Sequence, residues 1–312
     1  MFKTNYSLKI LIALTLMLKA CTPQDQATTQ QHKWQANAQT VAQQVTNPKA
    51  KAYWYNGEAE ITSYELSQAR YGELHDGKAV LVFVTEPFSP QTFTKADRAG
   101  AKDVSVLKLN ATKKFNTGIY PYSIMTSSFF PFENGKYSMK ISSSSQEWCG
   151  HTYMELNHKK DYEVQIHSYF QGENKADLKL KTSLLEDDFW TRIRLHPEDL
   201  PMGKIKVIPA FSALRLLHKD MAAYRCEASQ TSDESSHTYM LFYPDLKRSL
   251  AIRYEKKFPH TILSWEESYA SGWGNNRKKM TTTATRIKTI RSDYWNKNTP
   301  QDIVFRKELG LE

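Results

Sequence analysis

The densest run of chemically capable side chains is Gln146-Glu147-Trp148-Cys149-Gly150-His151. Cys149 and His151 are two positions apart, a spacing that on a strand points both side chains to one face. A histidine that takes the thiol proton makes a cysteine nucleophilic. The same two residue types are zinc ligands. A hairpin turn after Asn157 sets His167 opposite His151 in one register and on the other face when the pairing slips by one residue. No HExxH or CxxC motif accompanies them. Cys149, His151 and His167 are therefore the candidates for a thiol-dependent or metal-assisted enzyme. The competing expectation is that they are structural polar residues, with no metal or cofactor assigned. Besides Cys21 the chain holds only Cys149 and Cys226. An even pair in an oxidising compartment is a possible disulfide, and a closed bridge removes the nucleophile.

Other local clusters are weaker. Glu186-Asp187-Asp188 lacks the spaced oxygens and turn residues of a calcium loop, and reads as a solvated turn or helix start. Ser123, Ser127 and Ser128 lack a GxSxG elbow. Gly272-Trp273-Gly274 lacks the lysine and spacing of a phosphate loop and reads as a loop with an aromatic tip. Tyr120, Tyr122, Phe129, Phe130, Phe132, Trp265, Tyr269 and Trp273 are expected either to line a concave sheet that holds an apolar or glycan ligand, or to fill a core. Trp148, Trp265 and Trp273 are the candidate binding aromatics.

The elements that must position these residues are mostly strands. Ala79–Val84 is an uninterrupted apolar run of the length expected for a strand buried on both faces. Val104–Leu109 is a second apolar run. Period-two alternation marks 137–142, 162–169, 178–181 and 250–255, and residues 281–290 are rich in β-branched types. Asp76-Gly77, Asn134-Gly135 and Gly172-Glu173-Asn174 carry turn chemistry. This pattern predicts a mainly β fold: a large antiparallel meander, as a curved sheet or half-open barrel, with few short helices. The helical candidates are 94–102 and 209–222.

The amino terminus carries an address. Lys3 and Lys9 precede the apolar run Ile10–Leu18, which is shorter than the roughly 20 residues a membrane-spanning helix needs. Residues 1–20 therefore read as a signal peptide. Leu18-Lys19-Ala20-Cys21 resembles the lipobox of bacterial lipoproteins, which implies acylation of Cys21 and cleavage before it; Lys19 departs from the usual small or apolar residue. Several acyl chains anchor a protein firmly where one does not. Residues 21–50, rich in glutamine, read as a lipidated polar tether. Trp34, Ala38, Val41 and Val45 are spaced for one face of a short helix within it. Residues 51–312 form the β-rich globular region, as one large domain or two closely packed ones.

The net charge of the 312 residues is +9, and Lys3, Lys9 and Lys19 in the signal carry three of these charges, leaving +6 from residue 21 onward. The bases are scattered without a stripe, which with export argues against nucleic acid as a partner.

Between residues 52 and 266 the chain resembles a group of uncharacterised Bacteroidota-type lipoproteins. The resemblance is carried by Tyr53-Trp54-Tyr55-Asn56-Gly57-Glu58-Ala59-Glu60, Tyr64-Glu65-Leu66, Ala69-Arg70-Tyr71-Gly72-Glu73, Gly118-Ile119-Tyr120-Pro121-Tyr122-Ser123 and Glu147-Trp148-Cys149-Gly150-His151. The group brings no activity with it. Some members bear the label "septum formation inhibitor Maf", the name of a cytoplasmic nucleotide pyrophosphatase. Its amino-terminal Ser-x-Arg-Arg motif is absent here. The combined expectation is a lipoprotein of the bacterial cell envelope, on the outer membrane facing the periplasm because Thr22 rather than Asp follows Cys21. It is expected to bind a lipidic ligand or a partner protein. The enzyme and a structural assembly component are the alternatives.

Overall fold

The computed structural model describes residues 48–312. The signal segment, Cys21, and Trp34, Ala38, Val41 and Val45 lie outside the described residues. The tether was expected to run through residue 50, but α1 (Pro48–Trp54) already begins at Pro48 and buries Ala50 and Trp54.

The described residues form one 16-stranded sheet. In chain order the strands are β1 (Ala59–Arg70), β2 (Glu73–Ser89), β3 (Thr94–Lys95), β4 (Val104–Thr117), β5 (Tyr120–Pro131), β6 (Lys140–Glu147), β7 (Gly150–His158), β8 (Tyr162–Ser168) and β9 (Lys175–Leu180). They continue as β10 (Leu184–Leu185), β11 (Gly203–Ile208), β12 (Tyr224–Ser232), β13 (Ser236–Tyr243), β14 (Arg248–Glu255), β15 (Ile262–Ser271) and β16 (Lys278–Ser292). The spatial path runs from β10 through β11 to β16, then β1, β2, and β4 through β9, with β3 beside β2. Among the described residues every ladder is antiparallel except β10 with β11. The mainly β, antiparallel expectation holds.

Tight hairpins set the registers. The β1–β2 turn is Tyr71-Gly72, both with positive φ (56° and 83°), the geometry that matches strand twist in a two-residue hairpin. Asp76-Gly77, expected as a turn, instead lies inside β2, where Gly77 pairs with Leu66 and Phe115. A Cβ on Gly77 would meet the Lys114 carbonyl oxygen at 2.2 Å, so glycine is needed there for close approach between strands. The expected helix at 94–102 is also absent. Only Thr94–Lys95 is regular, and the Asp103 carboxylate holds the Gly100 amide in a turn (2.7 Å).

The interior is not an open trough. Helix α2 (Glu186–Leu195) fills it, touching both flanks of the curved sheet. Phe189 lies against Tyr239 of β13, and Trp190 against Trp265 of β15 (5.2 Å). Buried ion pairs clamp it at each end. At the amino end Glu186 takes both terminal nitrogens of Arg248 on β14 at 2.6 Å, and Arg248 Nε donates to Glu267 at 2.7 Å. At the carboxyl end Arg194 grips Glu60 on β1 through two bonds of 2.5 and 2.6 Å. The acidic triplet 186–188, expected to be solvated, is thus buried as the first turn of this plug. Asp187 accepts the Phe211 amide and Asp188 the Ser138 amide, which offsets part of the cost of burying them, and burial still pushes both carboxyls up.

Helix α3 (Phe211–Leu217) realises the centre of the 209–222 segment and ends where His218 turns left-handed (φ 52°). Its Phe211 and Leu214, with Leu185 and Ile208, pack on Ile141, Met154, Leu156, Tyr162, Val164 and Ile166 of β6–β8. The two ends of the sheet path therefore meet through side chains rather than a hydrogen-bond ladder, as a half-open barrel. Outside, Val80, Val82 and Val84 of β2 pack with Ala59, Ile61, Trp295, Leu309 and Leu311, so the carboxyl-terminal segment covers them. That is why the Ala79–Val84 run is apolar on both faces.

Candidate functional site

Alternation along the meander brings the β1–β2, β4–β5, β6–β7, β8–β9, β13–β14 and β15–β16 turns, together with α3, to one end of the sheet. A continuous aromatic rim runs along that end. Trp273 stacks on Tyr71 (4.8 Å), and the Tyr71 and Tyr122 hydroxyls meet at 2.5 Å. The Tyr120 hydroxyl donates to that of Tyr71 (3.1 Å), and Tyr120 stacks on Trp148 (6.1 Å). Arg70 lies over the Tyr71 ring at 4.4 Å and donates to the Leu216 carbonyl at 2.6 Å, tying the rim to α3. Beyond Trp148, Tyr169 rests on Gly150, where an added Cβ would come within 2.8 Å of its ring. Phe170 follows, under the Arg215 guanidinium at 4.6 Å.

Beneath Arg215 lies a groove of about 280 Å³ between α3 and β7–β9. Met154, Ile166, Leu178, Leu214 and Met221 form its apolar lining; Glu173, Lys175, Arg215, His218, Lys219 and Asp220 supply its charged lining. Arg215 is 5% exposed. It donates to Thr152 Oγ1 at 2.9 Å and lies 3.7 Å from both Glu147 and Glu173. His218 Nδ1 sits 2.5 Å from Glu173 Oε1. The arrangement suits an amphiphile: an apolar body with a polar head beside Arg215 and His218.

The sequence candidates fall around this rim without forming one catalytic group. Cys149 occupies the two-residue turn between Glu147 and Gly150, so the two-apart rule for a strand does not apply to it. Its amide donates to Glu147 Oε2 (2.6 Å), and the hydrogen bond between the thiol and that carboxylate pushes its pKa up. This favours the thiol over the reactive thiolate. His151 sits on the outer face of β7. His167 pairs with Tyr153 rather than His151, and Tyr169 stands beside His151, its amide donating to the His151 carbonyl. His151 and His167 thus share the outer face, one pairing step apart, lining a shallow depression with Tyr153 and Tyr169. Among the described residues, the trio whose ligand atoms converge within 4.8 Å is a half-buried His196 with exposed Glu198 and Asp199 at a turn, and not Cys149, His151 and His167. The possible disulfide is not formed: Cys149 is an exposed free thiol and Cys226 a buried one, pushed to about 12 by burial.

Of the aromatic candidates, Trp148 and Trp273 are 68% and 65% exposed on the rim, while Trp265 is a core residue at 3%, wedged between Tyr64 and Trp190. Phe130, Phe132, Tyr122 and Tyr269 are likewise buried. The cavity beside the plug, lined by Trp190, Trp265, Ser128, Asp187 and Glu267, is about 50 Å³, enough for a few waters and too small for a lipid. The concave face is therefore filled rather than free for an apolar ligand. Sequence reasoning missed Arg215, Glu173, Leu214 and Met221. Leu214 and Met221 carried only the apolar spacing within 209–222, Glu173 only the turn chemistry of 172–174, and Arg215 no local signal.

No family model and no curated protein matches the chain. Among solved structures it is similar to a β-barrel-like protein of a domain of unknown function from Brucella abortus, at 8% identity over 75% of this chain and 98% of that one, with a TM-score of 0.44.

Proposed function

We propose that this protein is an envelope lipoprotein, held through Cys21 at the periplasmic face of the outer membrane, whose folded part binds a small amphipathic ligand in the groove between α3 and β7–β9. The observation that carries the binding reading is the groove itself: an apolar lining of Met154, Ile166, Leu178, Leu214 and Met221 beside Arg215 and His218. Its volume of about 280 Å³ sits at the lower edge of ordinary ligand sites, which fits one short chain and not a whole lipid. The lipobox resemblance and the polar tether support the setting.

A thiol enzyme draws less support. Glu147 disfavours the Cys149 thiolate, and His151 lies on the outer face of its strand.

The test uses 1-anilinonaphthalene-8-sulfonate, an anionic amphiphile, titrated into delipidated protein with octanoate as competitor. Saturable binding, displaced by octanoate, is expected. Leu214→Trp fills the groove and abolishes it, while Trp273→Ser on the rim leaves it intact. Unchanged binding in a folded Leu214→Trp protein overturns the reading.

A further inference from the structure

The rim has features that a ligand groove does not need. Ile119, Trp148, Tyr169 and Trp273 are 84%, 68%, 76% and 65% exposed. They stand on four separate hairpin turns, all at one end of the sheet. Folding does not require this. An exposed turn normally carries small polar residues, and large apolar tips cost solubility.

Bases surround the tips: Lys114, Lys175, Lys219, Arg277, Lys278 and Lys279 are all exposed at this end. Of the acids there, Glu173 is held by Arg215 and His218 and Asp245 by Arg225, leaving Glu73, Asp76, Asp177 and Asp220 against the six bases.

We propose that this rim lies on an anionic bilayer surface, with Trp148 and Trp273 at headgroup level and the ring of bases against lipid phosphates. Tryptophan and tyrosine favour that depth because one end of each ring system is apolar and the other forms hydrogen bonds. A protein partner would call for a central pocket around an anchor. Separate tips at one end of the sheet, with bases near them, match an extended boundary instead. The stacked contacts Trp273–Tyr71 and Tyr120–Trp148, and the packing of Tyr169 on Gly150, hold the tips in place before contact, so docking orders little.

Reach is sufficient. The tether joins the sheet through α1 at the end opposite the rim. The 12 residues of β1 span about 40 Å. Residues 22–47, if fully extended, could cover up to about 90 Å, so the rim can meet the same leaflet that holds the anchor.

Cys149, beside Trp148, offers a native reporter because Cys226 is buried. Full-length protein carrying Cys21→Ser is labelled at Cys149 with the polarity-sensitive fluorophore NBD and mixed with phosphatidylcholine vesicles, with or without phosphatidylglycerol. With phosphatidylglycerol, a severalfold rise in emission is expected, together with quenching by a lipid-borne quencher. Trp148→Ser with Trp273→Ser removes both effects. A label moved to the opposite end by Lys136→Cys with Cys149→Ser stays aqueous, however the amino terminus associates. An aqueous Cys149 label on both vesicle types overturns the proposal, as does equal immersion of the Lys136 label. Neither outcome depends on the groove, which dye titration reads separately.

Discussion

Replacing Arg194 by leucine leaves Glu60 at 0% exposure without its two guanidinium hydrogen bonds of 2.5 and 2.6 Å. Tyr53 still donates to Glu60, and the leucine recovers some apolar contact where the guanidinium lay over Phe83 and Trp54 (4.8 and 5.2 Å). The bond from Arg194 Nε to the Pro259 carbonyl (2.8 Å) is lost as well. Breaking one side of a buried pair costs about 3–5 kcal/mol, against about 0–1 kcal/mol for an exposed one. We expect about 4 kcal/mol, a large share of an ordinary domain's stability of about 5–15 kcal/mol. Removing both charges, as Glu60→Leu with Arg194→Leu, should return most of it, because an apolar pair of this kind is often neutral relative to the ion pair. The pH dependence has a definite sign. In the native protein burial pushes Glu60 up, but Arg194 outweighs it and holds the carboxyl below its ordinary value. Its contribution is therefore present above the unfolded value and lost as pH falls through the lowered folded one. Without Arg194 burial is opposed only by the Tyr53 hydrogen bond and the charge of Arg291, the folded value rises, and stability is lost as pH climbs. The gap between the two proteins should widen with pH. Urea unfolding of both single variants and the double variant between pH 4 and 8 measures all of this. A cost below about 1 kcal/mol for Arg194→Leu, or additive losses in the double variant, would refute the view that a buried ion pair clamps the plug.

Burial raises Asp187 to about 7 from 3.8, so its contribution is full below the unfolded value and lost as pH rises through about 7. Asp187→Asn should raise the unfolding free energy measured in urea at pH 8 but not at pH 4, by at most about 4 kcal/mol at about 1.4 kcal/mol per pKa unit. Gly77→Ala forces β2 off the Lys114 carbonyl and should cost about 2 kcal/mol in thermal or urea unfolding, whereas Gly118→Ala, with open space around its Cβ, should cost only backbone strain. Alkylation of Cys149 should be slow at neutral pH and its pH profile should move down in Glu147→Gln, while Cys226 should react only on unfolding, as thiol counting with and without urea will read.

Much of the fold was legible in the chain because alternation and turn chemistry act over a few residues. The alternation at 162–168 and 250–255 became β8 and β14, and the apolar run at 79–84 became part of β2. The exposed tip at Trp273 followed from its two glycines. What local pattern could not hold were pairings across long separations. Arg194 meets Glu60 across 134 positions, and Arg248 meets Glu186 across 62. Those contacts turn an apparently solvated acidic triplet into the buried first turn of a plug, and they fill the trough that the aromatics had suggested for a ligand. Register is equally non-local in its consequence: the turn after His158 places Tyr153, not His151, against His167. The groove exists only because α3 packs across β6–β8, bringing Arg215 to Glu147 and Glu173 from distant segments. Sequence alone thus determined which stretches could be strands and which residues had the chemistry to matter, since both reside in the residue and its near neighbours. Curvature, register and the meeting of separated charges were decided by tertiary structure, because each depends on which distant segments pack together, and a buried charge is tolerated only where its partner is brought to it.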